Sequence, residues 1–282
     1  MIILQLSASS QHNEYLSALE KHLLSLYTLA SQARSEGLDP SLEPEPYVAR
    51  DLAEMVEGLV GPKGVAGRIR ELVSAKMDKY EMAFAVASDI VHAKFGHTDP
   101  EAGAEQAVRS ALAIMTGGIT AAPMQGIAHV RIKENPDKTR YLAVYFAGPI
   151  RSAGGTEQAV TLVVADHVRK ILGLDSYKPT DVEVRRFLEE LRLYEREVSR
   201  FQYHLPDELL VSALERLPVE CTGTETDPVE VSSYRNIPRI ETNRVRAGGL
   251  RVVNDGIVGR AQKVLRIVEA MSILGWDWLG KL

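Results

Sequence analysis

The chain has 282 residues, 45% of them hydrophobic, which is enough apolar material for one large domain or two smaller ones. A formal net charge of −5 argues against a general nucleic-acid coat protein, and a single cysteine, Cys221, excludes an internal disulfide or a cysteine-rich zinc site and fits a reducing, cytoplasmic setting. No apolar run approaches the ~18 residues of a membrane-spanning helix, and the opening MIILQL lacks the basic flank of a signal peptide, so no membrane association is expected.

Residues 11–36 read as a long amphipathic helix, because Tyr15, Leu19, Leu23, Leu26, Ala30 and Ala33 recur three and four apart. The first 60 residues are also strongly acidic, and this first helix is a candidate surface for a partner or for self-association. Three prolines among residues 38–46 predict an extended linker. Helices are then expected over 51–60, 65–75, 78–95 and 99–115, the last opened by Asp99-Pro100-Glu101, a cap followed by proline at the first helical position. The period changes at 127–133, where His129, Arg131 and Lys133 alternate with Val130 and Ile132. With the turn at 134–138 and the apolar run 141–147, this predicts an antiparallel hairpin with one wet face. A helix over 156–172 follows, then a heavily charged one over 181–201. The acids and arginines of the latter alternate at helical spacing and read first as a solvated, ion-paired face. A helix over 206–217, strands at 219–222, 229–231 and 250–253, and a helix over 256–271 complete the pattern. The fold class is α+β, in three parts: an N-terminal helix and Pro-rich linker (1–46), a helical domain (47–118) and an α/β domain (119–282) with a small, mainly antiparallel sheet.

Two stretches carry candidate chemistry. Gly148-Pro149-Ile150-Arg151-Ser152-Ala153-Gly154-Gly155-Thr156 joins a strand to a helix. One reading is a phosphate cradle, with Arg151, Ser152, Gly154, Gly155 and Thr156 around an anion at a helix start. The other is a tight turn between packed elements, with Thr156 as N-cap. The second stretch is a loop carrying Arg235, Arg239, Arg244, Arg246 and Arg251, with Gly248-Gly249 beside the last two. Its arginines either contact a nucleic-acid backbone or pair with the acids of helix 181–201. If Arg151 and this loop meet at one end of the sheet, they form a single anion-binding rim. No HExxH, GxxxxGK[ST] or GxSxG motif is present, and the seven histidines do not fall at metal-ligand spacing. No catalytic residue and no metal site are assigned within these residues.

Several of these segments occur together, in order, in one known family. The stretch YLAVYFAGPIRSAGGTEQA, with GLVGPKGVAGRIREL at 58–72, Glu105-Gln106-Ala107-Val108-Arg109, Val198-Ser199-Arg200-Phe201-Gln202-Tyr203-His204 and Gly275-Trp276-Asp277-Trp278-Leu279, resembles the N-terminal region of the large subunit of archaeal family D DNA polymerase, also called DNA polymerase II. The resemblance implies a region of a replicative, DNA-directed DNA polymerase, a nucleotidyltransferase of several subunits. It implies further that the catalytic carboxylates, Mg²⁺ and Zn²⁺ belong to downstream parts of the subunit, that this segment alone is inactive, and that its partners are DNA and a small 3′–5′ exonuclease subunit. The expected roles are DNA binding and subunit assembly, with folding similar to a KH module. Two alternatives stand beside it: a nucleotide-binding enzyme using the 148–157 loop, and a purely structural assembly module.

Overall fold

The computed structural model describes residues 9–38, 49–96 and 99–282. The opening MIILQL run and the linker beyond Leu38 lie outside the described residues. The chain divides into two units, Met1–Val48 and Ala49–Leu282. In the first, helix α1 (Ser10–Ser35) starts at Ser9, whose side chain accepts from His12 N, and none of its residues is buried. No helix among the described residues is long and apolar enough to cross a membrane.

The second unit opens with four helices, α2 (Leu52–Leu59), α3 (Val65–Ser74), α4 (Lys79–Val91) and α5 (Pro100–Thr116). Their starts follow local chemistry. Asp78 and Glu81 form a capping box on α4, and Asp99 accepts from Ala102 N with Pro100 beginning α5. A short α6 (Ala121–Gln125) leads into β1 (Ile127–Glu134), which pairs antiparallel with β2 (Arg140–Phe146) in the register Val130↔Val144 and Ile132↔Leu142. A third strand, β3 (Glu220–Gly223), runs parallel to β2 on its other side, so the sheet is a small mixed one with β2 at its centre. Between β2 and β3 lie α7 (Gly155–Ile171), α8 (Asp181–Glu197) and α9 (Asp207–Leu214).

The outer edge of β1 is covered by side chains of α5. Glu101 accepts from Ile132 N at 2.7 Å and Glu105 from Val130 N at 3.2 Å, while Arg109 donates to Ala128 O at 3.0 Å. A strand edge left bare would recruit another chain. Here three residues at helical spacing (101, 105, 109) close it and fix α5 against the sheet, and α5 also packs on α7.

Two expected strands are not formed. Residues 229–231 make only an isolated bridge, Glu230↔Arg244. Residues 250–253 are helical: α10 (Ala247–Arg251) runs into a π-helix, Val252–Val258, before α11 (Ala261–Ala270). Leu250, Val252 and Val253 are buried, and a short buried apolar run has no periodicity to distinguish strand from helix. A second departure concerns α8, whose charged residues are not all solvated. Arg186 and Glu190 are both 0% exposed.

At the α2–α3 pair, Glu54 lies 2.6 Å from Arg50 and 2.8 Å from Arg70. Hydrogen bonds from Arg50, and then from Arg70, hold its carboxyl down to about 2 against an ordinary 4.5. A lowered folded-state value stabilises above the unfolded value and is lost as pH falls through the folded one. The thermal midpoint of the chain should therefore fall between pH 4.5 and about 2. Glu54→Gln should lower the midpoint at neutral pH and flatten part of that decline. Identical midpoint-against-pH curves for the two proteins would show that Glu54 is not coupled to folding.

Candidate nucleic-acid interface

Strand β2 ends at Phe146, and a six-residue 3₁₀-helix, Gly148–Ala153, carries the chain to α7. Gly154, at φ 78°, supplies a left-handed bend that favours glycine. Gly155 is required for a different reason: a Cβ there would lie 2.6 Å from the Asp255 carbonyl oxygen, and one on Gly256 would lie 3.1 Å from the Gly155 carbonyl oxygen. The start of α7 thus rests backbone to backbone on the π-helix. Thr156 is buried within α7 and is not its N-cap; that position falls to Gly154, without a side-chain cap. In the first turn, Glu157 accepts from Lys79 Nζ at 2.8 Å. Arg151 and Ser152, by contrast, are exposed, with Ser152 Oγ donating to Pro149 O at 2.9 Å.

The arginine loop is gripped by α8. Glu190 accepts from the backbone N of Arg246 at 2.9 Å and from its Nη2 at 2.8 Å, and Arg246 Nη1 donates to Thr222 Oγ1 at 2.7 Å. Arg186 donates to Glu190 at 2.6 Å, to Tyr234 O at 2.6 Å and to Thr242 O at 2.8 Å. Glu189 accepts the backbone N–H groups of Ser232, Ser233 and Tyr234 at 2.8, 2.8 and 2.9 Å. Burial works against the Arg246 guanidinium, and the adjacent Glu190 more than compensates, leaving Arg246 more firmly protonated than an ordinary arginine. Arg239 pairs with Glu183 and lies over the rings of Tyr141 and Tyr177 at 5.5 and 5.3 Å. Arg246 and Arg239 therefore hold the loop to the body of the unit.

Arg235 and Arg244 lie nearer solvent, and Arg251 is half-buried like Arg239. Arg235 pairs with Glu230 at 3.0 Å, and Arg244 lies 3.7 Å from Glu225 and 3.9 Å from Glu230. Arg251 donates to the Tyr194 hydroxyl at 3.0 Å and sits 3.6 Å from Asp255. The Gly248-Gly249 pair brings α10 against the chain's own strands: a Cβ on Gly248 would lie 2.5 Å from the Phe146 carbonyl carbon, and one on Gly249 would lie 2.6 Å from Thr222 O.

One open cleft of about 480 Å³ brings the two candidate stretches together. Arg151, Ser152, Pro149, Gln125, Tyr194 and Arg251 line it, and Asp227 is the one acid in its lining. Arg151 has no ion-pair partner among the described residues, so its guanidinium is available to a ligand. Of the arginines singled out in the sequence, Arg151 and Arg251 line this same cleft. Arg239 and Arg246 do not line the cleft. Gln125 and Tyr194 had no sequence signal: α6 is too short to show a period, and Tyr194 reads only as an inward residue of a helix. A further cavity of about 600 Å³ lies on the sheet's wet face, where the ring of His129 sits 4.1 Å from that of Tyr145. Among the described residues no three His, Cys, Asp or Glu are grouped to hold a metal ion.

Removing one partner of a buried ion pair leaves an uncompensated charge. Glu190→Gln should cost about 3–5 kcal/mol of unfolding free energy, read by urea denaturation. Arg235→Ala, at an exposed pair, should cost under about 1 kcal/mol. Equal losses for the two variants would show that α8 does not anchor the loop.

Residues 14–282 match the family model described as DNA polymerase II large subunit DP2, N-terminal. The chain is 51% identical over 280 residues to the DNA polymerase II large subunit of Methanococcus maripaludis, covering 99% of this chain and 25% of that protein. It is 50% identical over 272 residues to the same subunit of Methanothermobacter thermautotrophicus, covering 95% and 25%, and 47% identical over 274 residues to that of Thermococcus kodakarensis, covering 96% and 15%. The chain thus spans about a quarter or less of the length of these relatives. With a family model matched over nearly its whole length and identities near one half, this chain belongs to the family of the DNA polymerase II large subunit, as its N-terminal region.

Proposed function

We propose that this chain is the non-catalytic N-terminal region of the large subunit of a replicative DNA polymerase, and that it holds DNA by its phosphates at the cleft between Arg151 and Arg251. The observation that carries the reading is the convergence of these two arginines, from segments a hundred residues apart in sequence, on one open cleft. Guanidinium groups present paired donors to phosphate oxygens, and such contacts position a duplex or strand without reading its sequence. Nucleotidyl transfer, with its Mg²⁺ and Zn²⁺, and the contact with a small exonuclease subunit are proposed for the complete polymerase, downstream of this region.

The second part of the proposal is assembly. In α1, Leu16, Leu19, Leu23 and Leu26 follow a three–four spacing and are all exposed, as are Leu24 and Leu29 on adjoining faces. That spacing forms the seam of a coiled coil. We propose this helix as the surface for self-association or for a partner subunit. Leu19→Asp with Leu23→Asp should abolish any dimer seen by sedimentation velocity. A dimer that survives both substitutions excludes this seam.

Fluorescence anisotropy with duplex and single-stranded DNA across a salt series tests the cleft. Log K should fall linearly with log salt, and Arg151→Ala and Arg251→Ala should each reduce the slope by about 0.9 on duplex and about 0.7 on single-stranded DNA. Affinity and slope both unchanged in the folded double variant would remove the cleft from DNA binding. Binding of a free dNTP lost on Arg151→Ala, with no DNA binding, would favour the nucleotide-binding alternative.

A further inference from the structure

We propose that the ligand of this surface is a continuous polynucleotide strand that runs on from the first cleft, past Arg260, to a second cleft lined by Arg200, and that these two arginines hold further phosphates. The inference rests on the DNA-binding reading and names the residues and ligand class beyond it.

The second cleft, of about 490 Å³, is lined by Arg192, Glu195, Arg196, Arg200, Phe201 and His204. It shares a wall with the first. Tyr194 lines the first cleft and Phe201 the second, their rings stand 5.1 Å apart, and the Arg251 guanidinium lies over both at 5.5 and 5.7 Å. A strand leaving Arg251 therefore meets the second cleft directly across this stack.

The loop that carries Arg200 is fixed by the π-helix. Gln202 N and Tyr203 N donate to Asp255 Oδ1 at 2.9 and 3.4 Å, and Asn254 Nδ2 donates to Tyr203 O at 2.9 Å. Arg260, just after the π-helix, joins the two regions. Its Cγ lies 3.2 Å from where a Cβ on Gly155 would be, and its guanidinium lies over the Tyr203 ring at 5.3 Å. Arg260 thus stands between the 148–155 segment and the 200–204 loop.

Charge pairing identifies which of these cations are available. Within the second cleft, Arg192 pairs with Glu195 at 2.7 Å, as does His204 at 3.1 Å, and Arg196 pairs with Glu197 at 2.8 Å. Arg200 and Arg260 have no carboxylate partner among the described residues, and neither does Arg151 in the first cleft. Unneutralised arginines in and beside neighbouring clefts suit a polyanion with regularly repeated charge.

The test is anisotropy of the 282-residue chain with a fluorescent oligothymidylate of about 12 nucleotides, within the range that single-strand-binding modules cover. Arg200→Ala with Arg260→Ala should weaken binding and reduce the salt slope by about 1.4, near 0.7 for each single-strand phosphate contact. The loss should add to that of Arg151→Ala with Arg251→Ala. Arg200→Lys with Arg260→Lys keeps the charges and should restore most of the slope, which separates loss of charge from loss of fold. A slope that falls for the first-cleft pair and stays unchanged for Arg200 and Arg260 overturns this inference and leaves the first cleft standing. No change for either pair removes both. Displacement of the oligonucleotide by polyglutamate at equal charge concentration would overturn it in favour of an acidic protein partner.

Discussion

The arrangement of the second unit depends on one buried ionic cluster, Arg186–Glu190–Arg246. Glu190 is 0% exposed and receives both guanidinium groups together with the backbone N–H of Arg246. Arg186 then reaches past it to the carbonyls of Tyr234 and Thr242, at the two ends of the loop. Through these contacts α8 determines where the loop leaves the surface and where it returns to form α10. Arg251 ends α10, the short helix that Arg246 precedes and that the Glu190 contacts hold at its start. The cluster adds little net energy compared with an apolar core of the same volume, but losing one partner is expensive. Its contribution is to make one loop path far more favourable than the others.

Close backbone packing is the second constraint. The Gly155–Gly256 contact sets α7 on the π-helix, and Gly248 and Gly249 set α10 on the ends of β2 and β3. Side chains at these four positions would separate elements that carry Arg151 on one side and Arg251 on the other. The π-helix itself widens the turn so that Asp255 can accept from the 202–203 backbone while its own carbonyl meets Gly155. Such wide turns recur at functional sites because they move one side chain out of the regular ladder. The same seven-residue segment thus fixes α7, the 200–204 loop and Arg260 together.

Much of this architecture was legible in the sequence where the determining forces are local. The cap at Asp99 announces α5, and the alternation at 127–133 announces β1. What was not legible depends on distant partners. Arg186 and Glu190, four apart on a charged helix, have the spacing of a solvent-facing pair, and only the packing of loop 230–246 over them buries the pair. Residues 250–253 carry the apolar character of a strand, yet helical and extended forms bury Val252 and Val253 equally well. The glycines were readable as points of close approach, but whether another backbone or a ligand approaches is a property of the fold. The joining of Arg151 with Arg251 was legible as a conjecture only, since a hundred residues of chain separate them.

These partners also separate the arginines by use. Arg246 and Arg186 meet a carboxylate at hydrogen-bond distance and lie buried, and Arg239 meets its own carboxylate and stacks on aromatic rings. An arginine neutralised in this way cannot exchange its partner for a phosphate without breaking the packing around it. Arg151, Arg200 and Arg260 meet no carboxylate among the described residues, and the aromatic ring under Arg260 orients its charge without cancelling it. Arg251 is intermediate: its nearest carboxylate oxygen is 3.6 Å away and the Tyr194 hydroxyl only accepts from it, so a ligand could compete for the remaining donors. A basic stretch in an acidic chain is therefore not a single feature. The packing assigns some arginines to internal structure, Arg186, Arg239 and Arg246 through acids of α8, and leaves others without a carboxylate partner.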